Sequence, residues 1–136
     1  MSLTKLIRFN EHKDQRGSLI ALENGRDIPF DVKRVYYIFD TSPNYERGFH
    51  AHLELKQLLI CVSGSLEVEV CKGTNDQETF LLDSPSKGLL IEGLVWRVMK
   101  NFTPGAVLMV LASEFYNKDD YIFDFDKFIA LTQNNN

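Results

Sequence analysis

Cysteine is scarce in this chain. Cys61 and Cys71 are the only two among 136 residues, and both sit inside apolar, strand-like stretches. That usage excludes a disulfide scaffold and reads as two buried, reduced thiols in a cytosolic protein. No apolar run approaches the length of a membrane span, and the N-terminus lacks the apolar region of a signal peptide, so a cytoplasmic protein with no membrane partner is expected. Positive charge is in the minority, with 15 Lys and Arg against 19 Asp and Glu. A net charge of −4 argues against nucleic-acid binding, which wants a basic surface. Repeats, low-complexity tracts and interdomain linkers are absent. Histidine is rare too, and its placement is informative. Of the three histidines, His12 lies in a polar N-terminal segment, while His50 and His52 stand together in Arg47-Gly48-Phe49-His50-Ala51-His52.

What is present is ordinary globular material, 44% hydrophobic and 25% charged. Short runs rich in Val, Ile, Leu and aromatics alternate with turn residues. They predict strands at Lys5–Phe9, Ser18–Glu23, Lys33–Phe39, Phe49–Leu53, Gln57–Val62, Leu66–Val70, Thr79–Leu82, Leu89–Glu92, Val95–Asn101 and Val107–Ala112. Leu66-Glu67-Val68-Glu69-Val70 alternates cleanly, as a half-exposed strand does. Ser63-Gly64-Ser65 before it reads as the turn of a hairpin with Gln57–Val62. Asp40–Tyr45, with Ser42-Pro43-Asn44, reads as a surface loop. From about Asp119 onward, Tyr121, Ile122, Phe125, Phe128 and Ile129 recur at helical spacing and predict one amphipathic C-terminal helix to about residue 132, with Asn134–Asn136 fraying. The expected fold is all-β, a single jelly-roll β-barrel domain over 1–136, with the barrel ending near residue 113 and the short helix behind it.

On a strand, residues at i and i+2 face the same way, about 7 Å apart. His50 and His52 are therefore half a metal site or an acid–base pair, imidazole being the side chain that titrates near neutrality. His-x-His on an early strand of a small β-barrel suggests a cupin, whose first motif runs G-x5-H-x-H-x3-4-E-x6-G. Here His50-x-His52 is followed after four residues by Gln57 and after six more by Gly64, so the spacing fits with glutamine in place of the glutamate. The second motif ends H-x3-N, and its best register is Arg97-Val98-Met99-Lys100-Asn101, with arginine in place of the third histidine. A metal cupin uses three histidines and a carboxylate. An amide and a fixed guanidinium in two of those places repel a divalent ion rather than hold it. No metal and no cofactor is expected. The pair then suits proton transfer, Arg97 can stabilise an oxyanion, and Gln57 can orient an imidazole or a substrate hydroxyl.

Weaker signals surround the pair. Arg34 and Tyr36 share one face of Lys33–Phe39, with Tyr37 on the other, and are candidates to line a pocket. Arg16 in Asp14-Gln15-Arg16-Gly17-Ser18, together with Arg47, is a candidate phosphate clamp. Trp96 is a candidate to stack on a sugar or base.

Nearly the whole chain resembles the dTDP-4-keto-6-deoxyglucose 3,4-ketoisomerases. The resemblance is carried by Asp14–Ser18, Ile28-Pro29-Phe30, Lys33–Phe39, Arg47–His52, Gln57–Gly64, Val95-Trp96-Arg97 and Leu111–Tyr116, running on into Asp119-Asp120-Tyr121. It implies a dTDP-linked 4-keto-6-deoxyhexose substrate whose ketone moves from C4 to C3 through an enediol, without metal or redox cofactor. The product would feed 3-amino-3,6-dideoxyhexoses of the Fuc3N or Qui3N type for surface glycans. His50 is then the carbon base and His52 the second proton carrier, roles that can be exchanged. The resemblance also implies a homodimer with exchanged N-terminal strands. Members giving the galacto product match this chain at Arg16 and tend to carry histidine in place of Arg97. Those giving the gluco product match it at Arg97 and tend to carry tyrosine in place of Arg16. This chain combines the two patterns.

Three other readings compete. A related nucleotide-sugar epimerase would pair the base with a tyrosine acid, a non-catalytic cupin module would only bind sugar, and a metal dioxygenase is opposed by Gln57 and Arg97.

Overall fold

The computed structural model describes residues 2–73 and 76–134. Among the described residues twelve strands follow in order: β1 Leu3–Arg8, β2 His12–Asp14, β3 Gly17–Leu19, β4 Arg34–Ile38, β5 Arg47–His52, β6 Gln57–Ser63, β7 Leu66–Cys71, β8 Gln77–Leu82, β9 Lys87–Glu92, β10 Trp96–Lys100, β11 Val107–Ala112 and β12 Tyr121–Ile122. A 3₁₀ turn at Lys118–Asp120 precedes β12, and helix α1, Phe125–Asn134, follows it.

Two antiparallel five-stranded sheets face each other, in the orders β1-β9-β6-β11-β4 and β12-β5-β10-β7-β8, and β2 and β3 form a separate hairpin. The sheets are not hydrogen-bonded into a closed barrel. The expected jelly roll is realised as a sandwich, the form in which two twisted antiparallel sheets bury one face each. Leu59, Cys61, Val68, Val70, Leu89, Ile91, Met99, Leu108 and Val110 meet between them as the main core.

Each sheet also has an outer apolar patch with its own cover. Residues 9–32 fold over the first sheet, so Phe9, Ile28 and Phe30 pack on Leu58, Ile60, Leu90 and Leu111. This double cover explains why Gln57–Cys61 is buried without alternation, as β6 has protein on both faces. Helix α1 covers the second sheet, with Phe128 buried against Ala51, Trp96, Val98 and Ile122. The helix starts with Asp124 accepting backbone N–H groups of Asp126 (2.9 Å) and Lys127 (3.3 Å), a capping arrangement for its open donors.

Five expectations need correction. Ser63-Gly64-Ser65 does not close a hairpin, because β6 pairs with β9 and β11 while β7 pairs with β10 and β8. The turn is an arch that carries the chain from one sheet to the other. Gly64 has φ +71° and a Cβ there would lie 2.7 Å from Thr103 Oγ1, so the arch is packed against the loop before β11. The helix begins at Phe125 rather than near Asp119, since Tyr121 and Ile122 extend the second sheet as β12, paired with His52 and Ala51. The strand expected at Ser18–Glu23 is cut to Gly17–Leu19, beyond which the chain serves as cover for the first sheet. The strand expected from Phe49 begins at Arg47, and that expected from Thr79 begins at Gln77. Asn135 and Asn136 of the expected frayed end lie outside the described residues.

Candidate active site

Parity along the strands gathers the polar residues at one end of the space between the sheets. Along β10 and the residue before it, Val95, Arg97 and Met99 alternate inward against Trp96 and Val98 outward. On β5, Ala51 packs outward under α1, which turns its neighbours His50 and His52 inward. From the facing sheet, Tyr36 on β4 and Gln57 on β6 reach the same region.

A bulge adjusts β5. Arg97 stands opposite His50 but Val98 stands opposite Gly48, which leaves Phe49 as the extra residue. Gly48 has φ +98° and Phe49 φ +58°. A left-handed non-glycine residue costs roughly 1–3 kcal/mol, strain that folds retain mainly around functional sites. A Cβ on Gly48 would lie 2.8 Å from the Arg97 carbonyl oxygen, so glycine is required where β5 presses against β10.

The imidazoles of His50 and His52 meet edge-on, with ring centroids 4.8 Å apart and planes at 82°. Burial, then the Arg97 cation, pushes His50 down to about 4. Burial, then Arg97, His50 and Arg34, pushes His52 down to about 2. Both rings are therefore neutral near pH 7, each with one nitrogen free to accept a proton.

Arg97 is 1% exposed. Its Nη1 donates to the Gln57 carboxamide oxygen and its Nη2 to the Val95 carbonyl (3.1 Å), while Nε has no protein partner. Gln57 Nε2 donates to the Tyr36 hydroxyl at 3.1 Å. Burial lowers Arg97 to about 10, which still leaves a cation at neutral pH. Burying a guanidinium costs several kcal/mol that a leucine in its place would not. Among the described residues, no group of three or more His, Cys, Asp or Glu converges as a metal site would require. The two positions that would complete a metal cupin hold an amide and a cation bonded to each other.

A cleft of about 320 Å³ opens onto His50, lined by Arg34, Tyr36, Arg47, Tyr116 and Tyr121 among others. Arg34 lies over the rings of Tyr36 (5.4 Å) and Tyr116 (5.8 Å). Seven expected residues are thus brought together: Arg34, Tyr36, Arg47 and His50 line the cleft, His52 packs on His50, and Gln57 links Tyr36 to Arg97. Two expected residues do not join them. Trp96 faces the other side of the sheet, edge-on to Phe125 at 5.2 Å and against Phe128 at 5.8 Å, because it is the strand neighbour of inward-facing Arg97. Arg16 stands at the β2–β3 turn, its side chain 87% exposed and paired with Asp14, and within one chain it does not reach the cleft.

Two residues near the carboxyl end complete the site and were not singled out from the sequence. The Tyr121 ring lies 4.2 Å from that of His52 and 5.1 Å from that of His50, and it stacks on Phe123 at 5.4 Å. Asp120 Oδ2 lies 3.5 Å from His52 Nδ1. Asp119-Asp120-Tyr121 stood in the sequence as a family marker, but the helical spacing of its neighbours hid the strand that brings it here.

The fold and site together define a cupin-type jelly roll with an imidazole pair and a buried cation in place of metal ligands. The family described as FdtA: WxcM-like, C-terminal matches residues 2–133, and the chain belongs to it. A TDP-4-oxo-6-deoxy-alpha-D-glucose-3,4-oxoisomerase from Aneurinibacillus thermoaerophilus is 48% identical over 91% of this chain and 88% of its own length. The X-ray structure of the WlaRB TDP-quinovose 3,4-ketoisomerase from Campylobacter jejuni is 50% identical, with a TM-score of 0.89 over 93% of this chain and 97% of that one. A histidine-to-asparagine variant of the QdtA 3,4-ketoisomerase from Thermoanaerobacterium thermosaccharolyticum, in complex with TDP-4-keto-6-deoxyglucose, is 42% identical, with a TM-score of 0.94 over 96% of this chain and 94% of that one.

Proposed function

We propose that this protein is an isomerase, a TDP-4-keto-6-deoxyglucose 3,4-ketoisomerase that works without metal or redox cofactor. The observation that carries the reading is the neutral imidazole pair held against the buried Arg97 cation. The C4 carbonyl acidifies the C3 proton, and His50, which lines the open cleft, takes it. Negative charge that develops on the C4 oxygen is stabilised by Arg97. The proton of the C3 hydroxyl passes to the C4 oxygen through His52, and C4 receives a proton from an imidazolium. The ketone is left at C3 and both imidazoles return to neutral. Arg34, Arg47, Tyr36 and Gln57 hold the sugar and diphosphate. The product is a 3-keto sugar, the substrate that a 3-aminotransferase needs on the way to a 3-amino-3,6-dideoxyhexose.

The test is proton NMR of the product formed from TDP-4-keto-6-deoxyglucose, trapped with a 3-aminotransferase. A 3-amino product supports the proposal, and recovery of unchanged substrate overturns it. A nucleotide-sugar epimerase is the second reading, favoured by Tyr121 beside both histidines. It would return a 4-keto product inverted at a carbon beside the ketone, which the same spectra distinguish.

The protein acts as a homodimer in the cytoplasm. Edge strand β4 leaves Val35, Tyr37 and Phe39 on an outer face 52%, 64% and 58% exposed, an apolar row that a second copy would cover. Within one chain β1 pairs with β9 from Leu3↔Glu92 to Arg8↔Lys87, and a partner's β1 in the same register would make the same bonds. Exchange is read from a Leu6→Cys, Leu89→Cys variant. A disulfide-linked dimer on a non-reducing gel supports it, and a cross-link only within the monomer opposes it. The described residues contain no helix long and apolar enough to cross a membrane.

A further inference from the structure

Asp120 is built as a fixed carboxylate. Its Oδ1 accepts the backbone N–H of Glu54 (2.8 Å) and its Oδ2 that of Leu55 (3.2 Å), and its carbonyl accepts the N–H of Leu53 (3.1 Å). Three successive donors just beyond the end of β5, beginning one residue after His52, thus hold this one residue. Oδ2 is also the atom 3.5 Å from His52 Nδ1. His52 is wholly buried, and neither of its ring nitrogens has a hydrogen-bond partner in the protein, so Asp120 Oδ2 is a close carboxylate rather than a bonded one. The other charged or titratable groups facing it are His50 on the same strand, Arg97 from β10, Arg34 from β4 and Tyr121 from β12.

A neutral imidazole carries one N–H and one lone pair. A carboxylate only accepts, so an N–H pointed at it is stabilised and a lone pair pointed at it is repelled. We propose that Asp120 is a positioning residue that keeps the His52 hydrogen on Nδ1 and so leaves the Nε2 lone pair as the acceptor through which His52 carries the proton between the sugar oxygens. The proposal deepens the proton-transfer reading above and rests on it for its catalytic consequence, while the tautomer itself is independent of any substrate.

In Asp120→Asn the amide must keep an oxygen toward one of the two backbone N–H groups. With its oxygen on Glu54, its NH₂ faces His52 Nδ1 and favours the opposite tautomer. The test is ¹⁵N NMR of the full-length, histidine-labelled protein, with the His52→Asn variant assigning the signals. Wild type should show His52 with a protonated, pyrrole-type Nδ1 and an unprotonated, pyridine-type Nε2. Asp120→Asn should reverse the two, with kcat down at least about 100-fold and KM within about threefold. A wild-type His52 protonated at Nε2 overturns the proposal, as does a folded Asp120→Asn protein that retains both tautomer and turnover. The wild-type spectrum decides the matter even if the variant does not fold. Failure of the ketoisomerase assay with the expected tautomer in place would instead count against the reaction.

Discussion

Arg97 donates to the carboxamide oxygen of Gln57 across the space between the two sheets, and this one bond fills both positions where a metal cupin of this spacing would place ligands. Gln57→Leu should leave the guanidinium buried without that acceptor and cost about 2–4 kcal/mol of stability, measured by urea unfolding. The double change Gln57→Glu with Arg97→His should restore a donor set of three imidazoles and a carboxylate. It should then bind one divalent transition metal per chain on titration, while wild type binds none through this site. Equal metal uptake by both proteins would refute the reading of Arg97 as the group that displaces the ion.

His50→Asn and His52→Asn should each lower kcat by at least about 100-fold while leaving substrate binding within a few-fold. Isothermal titration with TDP separates the two effects. Near-normal turnover in both variants would remove the pair from the mechanism.

Acid sensitivity should follow from the same two rings. Unfolded, each histidine titrates near 6.5, whereas in the fold they lie at about 4 and about 2. Between those values the unfolded chain binds more protons, so stability is complete above about pH 6.5 and is lost as pH falls below it. The slope should reach about 2 kcal/mol per pH unit, and the double variant His50→Asn, His52→Asn should flatten it. The acid limb of kcat/KM in wild type should appear only below about pH 5, set by the free enzyme's base.

Product configuration tests Arg16 and Arg97 together. By the resemblance read from the sequence, Arg97→His would complete the galacto pattern and Arg16→Tyr the gluco pattern. The two variants should give products of opposite C4 configuration, read from proton couplings. Identical products from both would show that neither position selects the face that is protonated.

Much of this site could be read from the sequence because strand parity and motif spacing survive without tertiary information. The alternation in Leu66–Val70 marked a half-buried strand, and His50, His52, Gln57 and Arg97 fell at cupin positions. Other features depend on which strands pair. Ser63-Gly64-Ser65 signals a turn, but a turn does not say whether its arms bond to each other or to different sheets. Tyr121 and Ile122 form a strand too short to express a period of two, and the helix behind them lent them its own spacing. Trp96 is the instructive case. Once Arg97 is taken to face inward, its neighbour must face outward, so the sequence already held the argument against placing both in the site.

The order of synthesis gives β12 a further meaning. Every strand that carries His50, His52, Gln57 or Arg97 leaves the ribosome before Asp120 and Tyr121 do. Until β12 is made, β5 is the edge of the second sheet and His52 has neither the aromatic ring nor the carboxylate beside it. Asp120 and Tyr121 are therefore added to the candidate site after the strands that carry its histidines, and a chain ended just before Lys118 would lack both the aromatic ring and the carboxylate that stand beside His52.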